Sequence, residues 1–353
     1  MNTIGENIKI SLFGESHGKG IGISIDGLPA GMEIPHEKIK EGLKRRNPRN
    51  IPYSTKRWEE DEYEILAGEY NGKTNGYPLV FYIYNKEVNS KDAEIYKLVP
   101  RPGHADYPAY VKYQGMADLR GGGEFSGRMT VAMVIAGELA KHLLISKGIE
   151  VHAYTKQIGN ISTTSIEGYE GAWKKNPFSV PDEESYKKML ELVKEVYEEG
   201  DSIGGMIECI TSPLPIGLGN PFFGSMESTL SSLLFSIPGI KGIFFGDALE
   251  IYKGSQFNDY IEINNNQISL NSNHSGGING GLTNGNPIKL SVIVRPPASI
   301  YKPMKSVNIE KKENVMLELK GRYDPCIVPR AVVVVEDMVA IAILDKLMEV
   351  KKI

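Results

Sequence analysis

Glycine placement is the feature of this sequence that most constrains its fold. The chain of 353 residues contains 38 glycines, and clusters of them read "LRGGGEFSG", "GDSIGG", "GLGNPFFG" and "NHSGGINGGLTNGNP". Glycine adopts positive φ and allows close backbone approach, and these clusters separate segments that have regular hydrophobic patterns. They therefore predict sharp joints between packed elements rather than a flexible linker.

Composition and charge restrict the class of protein. With 41% hydrophobic and 24% charged residues, the chain resembles ordinary globular proteins with a substantial core. A net charge of −4 argues against nucleic acid or an anionic membrane as a partner. Only Cys209 and Cys326 are present, which fits a reducing, cytoplasmic setting without disulfides. We expect neither a signal peptide nor a membrane-spanning helix.

The hydrophobic patterns predict an α+β fold with antiparallel sheet, in one domain over residues 1–353. Runs of β-branched and aromatic residues predict strands at 8–13, 21–26, 63–67, 79–84, 151–157, 206–211, 242–245, 288–294 and 331–335. Helical spacing predicts helices at 35–46, between Ser126 and Gly148, between Asp182 and Gly200, at 225–236 and at 336–350. The helix after Ser126 is apolar on most faces, which predicts that it is buried.

The segment "FGESHGKG" at 13–20 resembles a phosphate-binding loop without fitting its pattern. A Walker loop has four residues between its glycines and Ser or Thr after its lysine, whereas three residues separate Gly14 from Gly18, and Gly20 follows Lys19. The histidine in this loop, His17, is better suited to proton transfer.

Five further histidines fall into two groups. His104 in "RPGHAD" and His274 in "NSNHSGG" also stand beside glycine-rich joints, where loops carry function. His36, His142 and His152 lie in or beside regular segments, so packing or surface roles are expected for them.

Arginine placement suggests an anionic ligand. The basic run "LKRRNPRNIPYSTKR" at 43–57 fits either a solvated surface or an anion site. Several arginines also stand in later joints, and guanidinium groups bind phosphate and carboxylate bidentately. Together they favour a small molecule with several acidic groups; the joint arginines are Arg101, Arg120, Arg128, Arg295, Arg322 and Arg330.

One acidic residue, Asp324 in "GRYDPCIVPR", fits two interpretations. An Asp before Pro is a common turn former, and the same carboxylate close to Arg322 also suits catalysis.

The sequence contains no Gly-x-Ser-x-Gly elbow and no HExxH or Cys/His cluster, so we expect neither a serine nucleophile nor a metal site.

These segments together resemble the chorismate synthase family along almost the whole chain. The resemblance is carried, in order, by "FGESHGKGIGISIDGLPAG" at 13–31, "RPGHADYPAYVKYQG" at 101–115, "LRGGGEFSGRMT" at 119–130, "EGDSIGG" at 199–205, "GLGNPFFG" at 217–224, "SIPGIKGIFFGDA" at 236–248, "GSQFND" at 254–259, "SNHSGGINGGLTNG" at 272–285 and "GRYDPCIVPRAVVVVE" at 321–336.

The resemblance implies a reaction, a cofactor and an architecture. The reaction is a 1,4-anti elimination of phosphate from 5-enolpyruvylshikimate 3-phosphate that gives chorismate in the shikimate pathway of aromatic amino acid biosynthesis. It requires reduced FMN without net redox change. The implied architecture is a β-α-β sandwich, with helices layered between antiparallel sheets, assembled as a homotetramer. Whether NADPH or a separate flavin reductase reduces the FMN stays open.

The same resemblance assigns residues by motif. It implies that His17 protonates the leaving phosphate, that His104 protonates or stabilises the reduced flavin, and that Asp324 relays a proton with support from Ser16 and Ser126. It implies flavin contacts by Glu124, Phe125, Ser126, Pro238, Gly239, Gly280, Arg295, Pro296, Pro297, Ala298, Ser299 and Arg322. It implies substrate contacts by Arg46, Arg57, Arg128 and Arg330.

The chain departs from the family pattern at three places near the expected site. Glu124 and Phe125 replace an arginine and a serine, Tyr323 replaces a histidine, and Asn47 and Pro52 stand where arginines are usual. The departures leave two alternatives to the lyase: an inactive homologue that binds flavin or an anion, and a redox-active flavoenzyme.

Overall fold

Two five-stranded antiparallel sheets and a group of helices make up the fold. They are seen in a computed structural model, which describes residues 2–56, 59–86, 95–163, 166, 171–248 and 252–350. Helices and antiparallel sheets confirm the predicted α+β class.

The first sheet is built from the N-terminal quarter of the chain. Its strands run in the order β1-β2-β3-β7-β4, and β5 pairs with β6 in a separate hairpin. On β7, Leu79, Phe81 and Ile83 are buried and alternate with more exposed residues, so the period of two places one face on the core. The strand bounds are β1 Thr3–Ile4, β2 Lys9–Gly14, β3 Gly20–Asp26, β4 Tyr63–Ala67, β5 Glu69–Tyr70, β6 Lys73–Thr74 and β7 Leu79–Tyr84.

The second sheet follows later in the chain, in the order β11-β16-β10-β8-β9. Three two-stranded hairpins accompany it: β12 with β13, β14 with β15 and β17 with β18. The bounds are β8 Val151–Ile158, β9 Ile161–Ser162, β10 Gly205–Pro213, β11 Ile240–Phe245, β12 Ile261–Asn264, β13 Gln267–Leu270, β14 Ile278–Asn279, β15 Leu282–Thr283, β16 Pro287–Val294, β17 Met304–Asn308 and β18 Glu313–Leu317.

The helices begin where the sequence provides caps or joints. Asp182 accepts a hydrogen bond from the Ser185 amide, and Ser225 accepts one from the Ser228 amide, so both cap the helices that follow them. The bounds are α1 His36–Arg46, α2 Ile95–Leu98, α3 Asp106–Lys112, α4 Thr130–Ile145, α5 Glu183–Glu198, α6 Met226–Phe235, α7 Gly254–Phe257 and α8 Val328–Val350, with 3₁₀ turns at Pro48–Asn50, Arg120–Phe125, Gly127–Met129, Ala172–Lys174 and Phe222–Gly224.

Most of the predicted elements are confirmed. All predicted strands except the last lie within two residues of an observed strand, and α1, α4, α5 and α6 match the predicted helices. The prediction that α4 is buried is also confirmed. The sequence did not predict the two-residue strands, the hairpin strands β12, β13, β17 and β18, or the short helices α2, α3 and α7. Elements this short carry too little hydrophobic period to be recognised.

The strand predicted at 331–335 is wrong. These residues belong to α8, which begins at Val328 and also contains the helix predicted at 336–350. The valines Val332, Val333, Val334 and Val335 are all buried, so no polar face reveals the helical period. β-Branched residues favour strands only weakly, and packing on every side overrides that preference.

The two long apolar helices join the sheets. Helix α4 contacts β3 of the first sheet, α8 contacts β8 and β10 of the second, and α4 packs against α8. At their crossing, Gly137 of α4 lies against Asp337 of α8, so closely that a Cβ at residue 137 would overlap the aspartate side chain. The absence of that Cβ sets the distance between the helices.

A buried charge cluster lies beside this crossing. Arg45 of α1 donates to both oxygens of Glu336, at 2.7 and 3.2 Å, and Lys141 Nζ lies 2.8 to 2.9 Å from Glu138, Glu336 and Asp337. Burial opposes ionisation of Glu336, but Arg45 and Lys141 outweigh it and lower its pKa. Burial raises the pKa of Asp337 well above its usual range, although Lys141 opposes the shift. The cluster therefore favours a protonated Asp337.

No helix in the described part of the chain is both long enough and apolar enough to cross a membrane.

Replacement of Gly137 by alanine is expected to destabilise the protein. Alanine favours a helix by about 1 kcal/mol over glycine, but overpacking a core costs roughly 1–3 kcal/mol or more, and this contact involves the backbone of α8. Chemical denaturation should show a lower midpoint for Gly137→Ala. Gly254→Ala is the control, since a Cβ there meets open space. An unchanged midpoint for Gly137→Ala would contradict the close crossing.

Replacement of Asp337 by asparagine is expected to change the pH dependence of stability. The usual aspartate pKa is about 3.9, and the pKa of Asp337 is raised above it in the folded protein. The folded state therefore binds a proton more tightly than the unfolded state. The free energy of unfolding of wild type falls as the pH rises from about 3.9 toward the folded-state pKa. Asp337→Asn lacks this decline. Its Tm relative to wild type should increase from pH 4 to pH 8, by on the order of a few degrees.

The matched control for this change is Asp26→Asn, at an exposed aspartate. A Tm difference between Asp337→Asn and wild type that stays constant across the same pH range would contradict the raised pKa.

Candidate active site

A cavity of about 910 Å³ collects segments that are distant in the sequence. Its wall includes the turn between β2 and β3, the end of α1, the 3₁₀ turns before α4, and the start of α8. The joints at 101–105, 235–241, 295–299 and 320–324 complete the lining. Several of these joints belong to the segments that the sequence marked as loops.

His17 is held against the glycine-rich turn before α4. The Ser16 amide donates to the Gly123 carbonyl at 3.2 Å, and Ser16 Oγ lies 3.3 Å from His17 Nδ1. The His17 ring packs on Gly121, which has φ +57°, and a Cβ at that position would overlap the ring. Glycine is therefore needed there both for its backbone conformation and for the space that the histidine fills.

His104 is oriented by a buried carboxylate. His104 Nδ1 lies 2.6 Å from Asp106 Oδ1, and Arg101 donates to Asp106 through Nε and Nη2, both at 2.8 Å. Burial opposes ionisation of Asp106, but hydrogen bonds from Arg101 and His104 outweigh it and hold its pKa below its usual range. An ionised Asp106 accepts from Nδ1–H, so Nε2 is the nitrogen for other chemistry.

Two arginines of the cavity share one carboxylate. Asp61 accepts from Arg46 Nη2 at 2.9 Å through one oxygen and from Arg128 Nη1 through the other, and Glu59 lies 2.7 Å from Arg128 Nη2. Burial, with Arg330 and Arg128 nearby, lowers the pKa of Arg46 to about 10, so Arg46 stays charged at neutral pH. The two guanidinium groups are buried and fixed in place, and Asp61 and Glu59 balance their charges.

Asn85 connects this arginine pair to the His17 turn. Its side-chain amide donates to the carbonyls of Glu15 and Gly18, at 2.9 and 3.0 Å, and Arg128 Nε lies 3.4 Å from its Oδ1. Asn85 was not predicted as a site residue, because nothing in the sequence pattern after β7 distinguishes it from a turn residue.

Asp324 is held from two sides. Its Oδ2 accepts from Arg330 Nη1 at 2.5 Å, and its Oδ1 accepts from the Ser54 hydroxyl and from the Thr55 amide at 2.8 Å. The support of Asp324 by Ser16 and Ser126 stays a prediction from the resemblance.

Those two serines hold other groups. Ser16 lies beside His17, and Ser126 Oγ accepts from the Arg128 amide at 3.3 Å, where it caps the 3₁₀ turn before α4.

The other predicted site residues mostly line the same cavity. Gly280 does not: it lies in the β14–β15 hairpin, which packs on the start of α6 through a bond from the Met226 amide to the Gly281 carbonyl. Arg57 lies outside the described residues. The predicted residues found in the lining are His17, Arg46, His104, Glu124, Phe125, Ser126, Arg128, Pro238, Gly239, Arg295, Pro296, Pro297, Ala298, Ser299, Arg322, Asp324 and Arg330.

The cavity is large and its lining is of two kinds. Its volume lies near the upper end of the range for ligand pockets, roughly 300–1,000 Å³. Small residues and prolines line it at 238–239 and 296–299, and the guanidinium groups of Arg46, Arg128 and Arg330 line it elsewhere. The lining therefore combines a largely uncharged region with groups that can bind acidic ligands.

Several important residues were not predicted as site residues: Glu59, Asp61 and Asp106. The sequence held a signal for Glu59 and Asp61, because acidic residues that closely follow a basic run are natural ion-pair partners for it.

His274 is outside the cavity lining, with Nδ1 2.8 Å from Asp247 Oδ2. In the described part of the chain, no group of three His, Cys, Asp or Glu residues could hold a metal ion.

The departures from the family pattern have local partners. Asn47 Oδ1 accepts from the Arg49 amide at 3.0 Å, and its Nδ2 donates to the Glu59 carbonyl at 2.6 Å. Asn2 donates to Glu124 at 3.0 Å, and the Tyr323 ring lies 5.5 Å from that of Tyr301. Asn47 thus orders the segment that carries Glu59.

Comparisons with known proteins identify the family of this chain. The sequence model of the family described as chorismate synthase matches residues 8–348. Chorismate synthase of Thermococcus gammatolerans is 43% identical, with 98% of each chain covered, and that of Korarchaeum cryptofilum is 41% identical, with 98% of this chain and 96% of that one covered. A crystal structure of chorismate synthase aligns with a TM-score of 0.77 at 27% identity, covering 98% of this chain and 93% of that one. The chain therefore belongs to the chorismate synthase family, a family of lyases of the shikimate pathway.

Proposed function

We propose that this protein converts 5-enolpyruvylshikimate 3-phosphate to chorismate and phosphate by 1,4-anti elimination, with reduced FMN as a cofactor and no net redox change. The observation that carries the proposal is that His17, His104, Asp324 and the arginines line one cavity. Proton donors, a carboxylate and cations at one place are the groups that phosphate elimination requires.

The proposed substrate carries one phosphate and two carboxylates, and the cavity supplies matching cations. Arg46 and Arg128 are buried and oriented by Asp61, so little side-chain entropy is lost when they bind an anion. Arg330 is the third candidate, and its guanidinium is already placed at the cavity wall. Arg57 stays a prediction from the resemblance.

His17 is the proposed acid for the leaving phosphate. Its ring is fixed by Gly121 and its turn is held by Asn85, which also contacts Arg128. A histidine titrates near neutral pH, so it can donate a proton and regain it from water in each turnover. The neighbouring arginine would stabilise the charge on the departing phosphate.

His104 and Asp324 are proposed to manage the protons near the cofactor. When bound, reduced FMN supplies electron density that assists loss of phosphate from a substrate whose C6 hydrogen is poorly acidic. His104 presents Nε2 for a hydrogen bond to the ring system, because Asp106 occupies Nδ1. Asp324 takes up the proton that derives from C6 and passes it on.

The residues proposed to contact the flavin are 124–126, 238–239, 295–299 and Arg322, all of which line the cavity. Gly280 stays a prediction from the resemblance.

We further propose one domain over 1–353, a β-α-β sandwich and a cytoplasmic homotetramer. Contacts of α4 and α8 with different sheets support the sandwich, and the exposed Phe222 and Phe223 support self-association.

One anaerobic assay tests the proposed function. The protein is mixed with reduced FMN and 5-enolpyruvylshikimate 3-phosphate, while phosphate, chorismate and the flavin spectrum are followed. Equal release of phosphate and chorismate without flavin oxidation supports the lyase. No release, with substrate or flavin still bound, would identify an inactive binding homologue, and net consumption of reduced flavin would identify a redox enzyme.

Replacement of His17 by alanine is expected to lower kcat by about 10²- to 10⁴-fold, the range for loss of a general acid. FMN binding, measured by spectral titration, should be nearly unchanged, because the residues proposed to contact the flavin lie on other segments. Lys19→Ala is the control, since Lys19 lies in the same turn but outside the cavity lining. Wild-type turnover in His17→Ala would remove His17 from the mechanism.

Replacement of Asp61 by asparagine is expected to raise KM for the substrate roughly 10- to 100-fold, the equivalent of one charged hydrogen bond. The amide retains one acceptor but presents N–H groups to the second guanidinium, so Arg46 and Arg128 lose their common partner. Asp61 has φ +53°, a conformation that asparagine tolerates. Glu60→Gln, at an exposed neighbour, should retain the wild-type KM. Equal KM values for the two variants would refute the role of Asp61.

A further inference from the structure

Two segments that the sequence separates by more than 260 residues are joined beside the cavity. Thr55 Oγ1 donates to the Arg322 carbonyl at 3.1 Å, and Arg322 Nη1 donates to the Lys56 carbonyl at 3.0 Å. The Ser54 hydroxyl and the Thr55 amide both donate to Asp324 Oδ1. The end of the basic run is thus tied to the segment that carries the proposed catalytic aspartate.

The two oxygens of Asp324 have different surroundings. Oδ1 takes both donors from the 54–55 segment, whereas Oδ2 pairs with Arg330 at 2.5 Å. Arg330 and Thr55 line the cavity, while Ser54 is outside its lining. Oδ1 is therefore the oxygen held by the 54–55 segment, and Oδ2 is the oxygen paired with the candidate anion-binding Arg330.

This arrangement matters because an aspartate carboxylate rotates easily. Its last torsion joins an sp³ carbon to an sp² carbon and has broad, shallow preferences. In the structure, Arg330 and the 54–55 segment hold opposite oxygens. When an anionic group of the substrate competes for Arg330, the two donors on Oδ1 become the remaining restraint on the carboxylate plane.

We propose that Ser54 is a positioning residue for Asp324, holding Oδ1 so that Oδ2 is the oxygen that takes up the proton during turnover. The inference rests on the proposed function, since the proton-accepting role of Asp324 is part of it. Nothing in the sequence pattern identifies Ser54, which stands between a tyrosine and a threonine in a basic run. Its hydroxyl acts through Asp324 and does not contact the reacting atoms.

Ser54→Ala tests the proposal, with Ser54→Thr and Ser146→Ala as matched variants. Threonine keeps a hydroxyl at position 54, and Ser146 Oγ donates to a backbone carbonyl at the end of α4, away from the cavity. We expect Ser54→Ala to lower kcat about 10- to 100-fold with KM within about threefold, because a charged hydrogen bond is lost and the carboxylate is misplaced.

A second readout separates positioning from simple structural damage. With substrate deuterated at C6, the isotope effect on kcat should increase in Ser54→Ala, because steps after proton removal no longer mask it. Ser54→Thr should recover most of the lost kcat, and Ser146→Ala should equal wild type. An unchanged kcat in Ser54→Ala, a change confined to KM, or no recovery in Ser54→Thr would each overturn the proposal.

A double-mutant cycle distinguishes failure of this inference from failure of the proposed function. Unfolding midpoints of Ser54→Ala, Asp324→Asn and the double variant should be non-additive, because the residues are in contact. If wild type releases no phosphate, the proposed function fails even when the cycle shows coupling. If wild type is active and the cycle is additive, the Ser54 contact fails while the proposed function stands.

Discussion

The close crossing of α4 and α8 is the constraint on which the rest of the structure depends. Gly137 lets the helices approach, and the charge cluster around Glu336 connects the same crossing to α1 through Arg45. The next residue along α1, Arg46, turns into the cavity and pairs with Asp61. Two adjacent arginines thus link the helical core to the site, and the start of α8 brings Arg330 to the same wall.

The cavity is built from charges that are already paired before any ligand binds. Asp61 joins Arg46 to Arg128, and Asp324 pairs with Arg330. A buried charge is tolerated only with a partner of good geometry, so these carboxylates are what allow the arginines to stay buried and charged. The consequence is a wall of preorganised, charge-balanced guanidinium groups, which requires little rearrangement when an acidic substrate binds.

The departures from the family pattern do not remove the groups on which the proposed chemistry depends. Asn47 orders the segment that leads to Glu59, and Glu124 and Tyr323 have partners in Asn2 and Tyr301. Among the described residues, none of the substituted ones takes part in the contacts that position His17, Asp61, Arg128 and Arg330. That distribution favours an active enzyme over an inactive binding homologue.

The α+β class, the longer strands of the two five-stranded sheets, helices α1, α4, α5 and α6, the glycine-rich joints and the family can all be predicted from the sequence alone. They can be predicted because hydrophobic period, caps and glycine clusters are local signals. The run 331–335 was misassigned, since a helix buried on all sides has no polar face to reveal its period. The bridge from Asp61 to two arginines and the bonds from Ser54 and Thr55 to Asp324 are evident only in the folded protein. Those contacts join residues far apart in the chain, and only the packing of the helices and joints determines which distant side chains meet.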